Sequence, residues 1–259
     1  MSEPGPSVHA SAIVDAGVRI GPGSEVGPFC HFCGRVTVGR GCRFATGVVV
    51  GAPPMDREYR GEETEVVIGE GNVFHEYATV HRSTGPGTRT SIGDRNRVMA
   101  YVHIAHNCRV GDDCVLTNGV QLGGHVEVGD GANIGGLAGV HQFCRIGELA
   151  MVGACSYVNK DIPPFALASG NPCRVRGLNS VGLVRADVGA EATAALKRAF
   201  RLFYRSRLNR TDAVDRIEEE LLPSVSAPDA AELLSRFTDF FRESRRGVEL
   251  RPGRDMEEA

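Results

Sequence analysis

Every sixth residue from Val8 to Val158 is large and apolar at 23 of 26 positions, and that register limits what the chain can fold into. It runs Val8, Val14, Ile20, Val26, Phe32, Val38, Phe44, Val50, then resumes after a break at Ile68, Phe74 and Val80. After a second break it continues from Ile92 through Ile104, Leu122 and Val140 to Val158. Only Asp56, Glu62 and Pro86 depart from it. The residue after the anchor is Gly at twelve of the positions, Gly21, Gly39, Gly93 and Gly123 among them. A period of six with a trailing Gly is the pattern of a stacked β-helical repeat. Chance is a poor explanation for a register that survives both breaks.

Each hexad is expected to form one short strand and one turn, with the apolar residue inward and the Gly easing the turn. Three hexads then close a triangular coil, and stacked coils pair their backbones about 4.8 Å apart. One coil cannot bury its apolar face alone, whereas a stack can. The fold expected is mainly β. It is a left-handed parallel β-helix of hexapeptide repeats over residues 1–180, followed by a C-terminal α-helical domain. The handedness comes from resemblance to left-handed parallel β-helices, since crossovers are right-handed as a rule. The polar stretch 52–66 and the turn-rich stretch 83–90 read as loops thrown out from the coil. Long loops on a rigid scaffold often carry function.

At 259 residues, 42% hydrophobic and net charge −3, the composition is that of a soluble globular protein. No apolar run approaches a membrane span, and the N-terminus lacks a charged-then-apolar signal pattern. The expected setting is cytoplasmic, with no transmembrane segment and no nucleic-acid partner. Eight Cys raise the question of disulfides or metal. Five of them, Cys30, Cys42, Cys108, Cys114 and Cys144, lie four residues after an anchor, a slot for small apolar side chains. Cys30-His31-Phe32-Cys33 resembles half a zinc site without a second half.

The repeat ends near Asp161-Ile162-Pro163-Pro164, and a helical domain is expected over 186–247. Leu196, Phe200 and Phe203 fall at helical spacing. Thr211 is placed to cap a second helix carrying Val214, Ile217, Leu221 and Leu222. A third helix, over about 227–246, carries Leu233, Leu234, Phe237, Phe240 and Phe241. Residues 248–259 are polar and expected to fray. The first helix bears Lys197, Arg198, Arg201, Arg205, Arg207 and Arg210. Charge alone leaves a solvated face and a dock for an acidic partner equally open.

The coil arithmetic gathers the histidines. Ile104, Leu122 and Val140 are eighteen residues apart and so stack on successive coils. His103 and His106, then Gly124 and His125, then His141 and Gln142 lie beside them, with His106, Gly124 and Gln142 in one column. A metal site, a general base with substrate binders, and coincidence all remain readings of such a corner. No carboxylate or Cys is placed to complete a zinc set, and the histidines occupy four coil positions, which disfavours metal. A histidine titrating near neutral pH suits general-base work on a hydroxyl. A Gly beside it offers a backbone N–H to a developing oxyanion. Base and oxyanion donor without a Ser or Cys nucleophile point to direct acyl transfer with no covalent acyl-enzyme.

Five stretches, His103-Ile104-Ala105-His106, Leu122-Gly123-Gly124-His125-Val126, Val140-His141-Gln142-Phe143-Cys144, Asp161-Ile162-Pro163-Pro164-Phe165 and Phe203-Tyr204-Arg205-Ser206, closely resemble the acyl-ACP–UDP-N-acetylglucosamine O-acyltransferase family of lipid A synthesis. Phe237-Thr238-Asp239-Phe240-Phe241 and Ser244-Arg245-Arg246-Gly247 match as well. The resemblance implies a homotrimer with sites between subunits, transferring a 3-hydroxyacyl chain from acyl carrier protein to the sugar 3-OH. It implies no cofactor beyond that thioester and no metal. It gives His106 the role of base and Gly124 that of oxyanion donor. His103, Asn107, His125, His141 and Gln142 fall among its substrate-binding positions, as do Asp56, Asn179 and Arg185. Lys197, Arg198, Arg201 and Arg205 then dock the acidic carrier. Two positions differ from the usual pattern. Asn107 stands where the family has Asp, losing a charge that raises the basicity of the histidine. Glu58 stands where it has Lys, so Arg57 or Arg60 must answer a diphosphate. Acylation of a 3-amino UDP-sugar, a zinc-dependent hydrolase and a non-catalytic trimeric scaffold are the alternatives.

Overall fold

The computed structural model describes residues 4–206 and 208–248. The strands are mostly two to four residues long and end on the apolar anchors, as at His103–Ile104 and Gln121–Leu122. Among the described residues they pair, in parallel except for the last pair of the first sheet, into three sheets of ten, eight and seven strands, the three faces of a left-handed β-helix. The first face stacks Val26, Phe44, Phe74 and Val98. The second stacks Val50, Val80, Ile104, Leu122 and Val140. The third stacks Val38, Ile68, Ile92 and Val110. Almost all of these anchors are buried to within a few per cent, each contributing on the order of 1.5–3 kcal/mol.

The trailing Gly does not make the turn, contrary to expectation. Gly21 and Gly39 keep ordinary backbone angles, but a Cβ on either would sit 2.6 Å from the backbone of the coil above. Close approach of coils selects them. The turn is made two residues later by a left-handed residue, often not Gly: Asn107 (φ 59°), His125 (φ 61°) and Phe143 (φ 65°) form one such column.

The two ends of the stack differ. Val8, Ile13 and Val14 on the first coil are 44%, 61% and 38% exposed, because none of the described residues forms a coil beneath them. The other end is covered. Ile162 bridges to Ile146, and the first face closes with the antiparallel pair Ala166–Ser169 and Arg174–Leu178. Among the described residues four α-helices follow: α1 (Ser180–Arg185), α2 (Ala190–Arg205), α3 (Arg210–Arg216) and α4 (Pro228–Glu243). The chain after α3 widens into a π turn over Ile217–Leu221 and tightens over Leu222–Ser224. Helices α2 and α4 pack through Phe200, Phe203, Phe237 and Phe241, with Phe203 and Phe241 stacked at 3.8 Å between ring centroids.

Details at the caps differ from the sequence reading. Asn209, not Thr211, caps α3, its side chain accepting from the Asp212 N–H at 2.9 Å. Asn209 is the residue whose backbone is still extended when the helix begins. Val248 is not frayed; it is buried and bridged to Asp161. The rest of the expected tail, 249–259, and Arg207 lie outside the described residues. Among the described residues no helix is long and apolar enough to cross a membrane.

Cys30, Cys42, Cys108, Cys114 and Cys144 are buried thiols in the core, as their slot requires. Burial pushes the Cys108 thiol up to about 12. Among the described residues no cluster of His, Cys, Asp or Glu is arranged to hold a metal ion.

Candidate active site

The second face carries the site because its outward positions between coils hold the histidines. A cleft of about 420 Å³ is lined by His103, His106, Gly124, His141 and Gln142. It is also lined by His81, which the eighteen-residue spacing misses. The loop over 82–88 adds six residues between Val80 and its neighbour Ile104, so His81 falls out of count. His81 meets His103 edge to face at 4.7 Å. The Nδ1 of His103 lies 2.8 Å from the Thr79 hydroxyl.

Both loops leave at the corner between the second and third faces. Strands Val49–Ala52 and Glu65–Ile68 bound the first, and Thr79–His81 and Arg89–Ile92 bound the second, so each is shorter than expected. The first is clipped down. Arg82 donates to the Tyr59 hydroxyl from Nη2 at 2.8 Å, and Glu62 Oε1 accepts from the Gly85 N–H at 2.8 Å. It carries Asp56 to the cleft, where Oδ2 lies 3.8 Å from His106 Nδ1. Glu58 is exposed, and its N–H donates to Asp56 Oδ1 at 3.0 Å. That bond is the chief reason the Asp56 carboxyl is held below its ordinary value; Thr84, His106 and His125 add to it. Arg57 and Arg60 are exposed on the same loop.

The protonation of His106 follows from its neighbours. Asn107 ties the second loop by exchanging two bonds with Thr84: Oδ1 accepts from the Thr84 N–H and Nδ2 donates to its carbonyl, each at 3.0 Å. This settles the orientation of the amide. The same Oδ1 lies 2.9 Å from His106 Nδ1, so Nδ1 must donate. In the neutral ring the proton therefore sits on Nδ1, facing Asn107 and the Asp56 carboxylate, and Nε2 keeps its lone pair. Nε2 faces Gly124 so closely that a Cβ there would lie 2.5 Å from it. The Gly124 N–H has no acceptor among the described residues.

Three neighbouring histidines are held below their ordinary value. Burial, with the charges of His81 and His106 behind it, pushes His103 down to about 4. Burial first and His106 second lower His81 and His125 as well, while Asp56 opposes the effect at His125. The His125 ring stacks on Phe143 at 4.5 Å and meets His106 edge-on at 5.3 Å.

Asn179 and Arg185 do not line this cleft, and His125 lines a neighbouring one with Phe143. Asn179 caps α1, accepting from the Gly182 N–H at 3.0 Å, and its Nδ2 donates to the Leu149 carbonyl at 2.8 Å. Arg185 is exposed in the last turn of that helix. Lys197, Arg198, Arg201 and Arg205 all lie on the exposed face of α2. Arg201 and Arg205 stand between two grooves of about 260 and 510 Å³.

The family model described as UDP N-acetylglucosamine O-acyltransferase, domain 2, matches residues 161–249, and the bacterial transferase hexapeptide model matches 17–52 and 89–124. The chain is 46% identical over 195 residues to the acyl-[acyl-carrier-protein]–UDP-N-acetylglucosamine O-acyltransferase of Synechocystis, covering 75% of this chain and 69% of that one. It is 39% identical over 260 residues to the enzyme of that name from Halorhodospira halophila, covering 93% and 98%. Among solved structures, the Francisella novicida UDP-N-acetylglucosamine acyltransferase superposes with a TM-score of 0.82 at 31% identity, over 95% of each chain. The Moraxella catarrhalis UDP-N-acetylglucosamine O-acyltransferase gives 0.78 at 34% identity, over 95% and 98%.

Proposed function

The chain belongs to the UDP-N-acetylglucosamine O-acyltransferase family, and from that premise we propose that it moves a 3-hydroxyacyl chain from acyl carrier protein to the 3-OH of UDP-N-acetylglucosamine, the first step of lipid A synthesis. One observation carries the chemistry: His106 holds its proton on Nδ1 and turns a free Nε2 toward Gly124. In this reading Nε2 takes the proton of the acceptor hydroxyl as its oxygen attacks the thioester carbonyl. The C–O bond forms, and the carbonyl oxygen, now an oxyanion, receives the Gly124 N–H. Collapse breaks the C–S bond, and the leaving thiolate takes the proton back from His106. No side chain is acylated.

The Asp56 carboxylate beside Nδ1 stabilises the imidazolium, which answers the charge missing at Asn107. His103, His125, His141 and Gln142 bind sugar nucleotide and acyl chain. The enzyme works in the cytoplasm as a homotrimer, without metal or cofactor. Asn179 and Arg185 then serve the cleft of a neighbouring copy. The exposed basic face of α2 docks the carrier protein.

Mass spectrometry of the product from a panel of UDP-sugars and acyl carrier protein thioesters tests the reading. The expected product is the 3-O-acyl UDP-N-acetylglucosamine. Acylation of the 3-amino analogue alone would reassign the enzyme to N-acyl transfer, and no acyl product with any acceptor would overturn the reading.

A further inference from the structure

After α4 the chain returns to the coil as an extended strap over 244–248, and a buried carboxylate seats it. Asp161 is fully buried. Its Oδ1 accepts from the Arg145 N–H at 2.8 Å and its Oδ2 from the Ser244 hydroxyl at 2.7 Å. Its own N–H donates to the Gly247 carbonyl at 2.9 Å. Gly247 adopts φ 79°, where a side chain is strained, and the buried Val248 completes the contact. Withdrawing the strap would leave a buried carboxylate oxygen without its partner, which is costly. The strap therefore has one seat.

That seat places Arg246 against the histidine corner. Its Nη2 lies 2.8 Å from His141 Nδ1, and its Nε donates to the Asn159 carbonyl at 3.2 Å. Asn159 follows His141 by eighteen residues, one coil on, so a single guanidinium grips two successive coils. Arginine offers only donors. The Nδ1 of His141 must then present a lone pair to it. The Gln142 carbonyl, 3.1 Å from the same Nδ1, would need a proton there. The shorter contact to an obligate donor decides between them. The neutral ring then carries its proton on Nε2.

We propose that Arg246 is a positioning residue: it holds His141 in its Nε2–H tautomer, so that the ring serves the cleft as a hydrogen-bond donor. This rests on the UDP-sugar reading, whose hydroxyl and phosphate oxygens are the acceptors such a donor fits. Without the guanidinium, Nδ1–H turns to the Gln142 carbonyl and Nε2 becomes an acceptor, the wrong polarity for the phosphate oxygens.

The test uses the full chain with Arg246→Ala and Arg246→Lys, read by nitrogen-15 NMR of labelled histidines and by steady-state kinetics. His141→Gln assigns the signal. Wild type should show the Nε2–H tautomer. Arg246→Ala should move it toward Nδ1–H and raise KM for UDP-N-acetylglucosamine about tenfold, with kcat within about twofold. Arg246→Lys should restore part of both. An Nε2–H tautomer that persists in Arg246→Ala overturns the proposal, and so does an unchanged KM alongside a changed tautomer. If wild type acylates no UDP-sugar, the functional reading fails instead, and the tautomer still decides the link between Arg246 and His141.

Discussion

The coil and the helices that cap it are stabilised in different ways. In the coil each anchor touches the anchors one turn above and below, so the core is a column spread over the whole stack. In the C-terminal part a few aromatic rings hold two helices together, Phe200 and Phe203 of α2 against Phe237 and Phe241 of α4. The coil carries the histidine cleft, and the helices carry the basic face. The proposed chemistry sits on the distributed core and the proposed carrier-protein dock on the concentrated one.

The sharpest way to break that contrast is to remove one ring. Phe237→Ala should cost about 3–5 kcal/mol and speed hydrogen exchange through 190–243 while the coil stays protected. Leu116→Ala should cost a comparable amount but loosen only neighbouring coils. Equal loss of protection across the chain after Phe237→Ala would erase the distinction.

Chemistry should follow the coil. His106→Ala is expected to lower kcat at least about a hundredfold with unchanged circular dichroism. Near-wild-type turnover would move the base to His125.

Partner use should follow the helices. Arg201→Glu with Arg205→Glu should cut kcat/KM with acyl carrier protein about tenfold and spare a short pantetheine thioester, the difference fading with salt. Equal losses with both donors would make the patch a solvated face.

The pH dependence of stability belongs to the coil again. The folded value for His103 is about 4 and its ordinary value 6.5. Between those values the unfolded chain binds the extra proton, so stability falls as pH falls through that window. His103→Gln should flatten the slope by up to about one proton; an unaltered slope assigns it to His81 or His125.

The smallest effect should come from the loop. Glu58→Lys should lower KM for the UDP-sugar by about 1 kcal/mol, an exposed charge doing no more. Abolished activity would mean that the carboxylate pairs with an amino group on the true acceptor.

The sequence made the coil legible residue by residue, since a period of six assigns each side chain a face. The alignment of His106, Gly124 and Gln142 follows from that count alone. Where the count fails, so did foresight. His81 was hidden by the residues inserted after it, and the approach of Asp56 to His106 depends on how a loop folds back. Arg246 reaches His141 across 105 positions of chain, and no local pattern announces it. The trailing Gly reads as a turn residue because crowding between coils leaves the same mark on the sequence as a tight turn. In the helical part the 3.6 period located the apolar faces, but the cap at Asn209 rather than Thr211 depends on backbone angles.

The two loops share a corner, and this separates angle from contour in the molecule. Val50 and Ile68 are one face apart although eighteen positions separate them, enough for a full turn of coil. Chain added at that corner leaves the azimuth of every later residue unchanged. Six residues added within a face would rotate everything beyond by a third of a revolution and carry Gly124 away from His106. The proposed catalytic alignment is therefore a matter of phase and tolerates no slippage. The outline of the cleft beside it is a matter of loop length, and it can be recut without disturbing that phase.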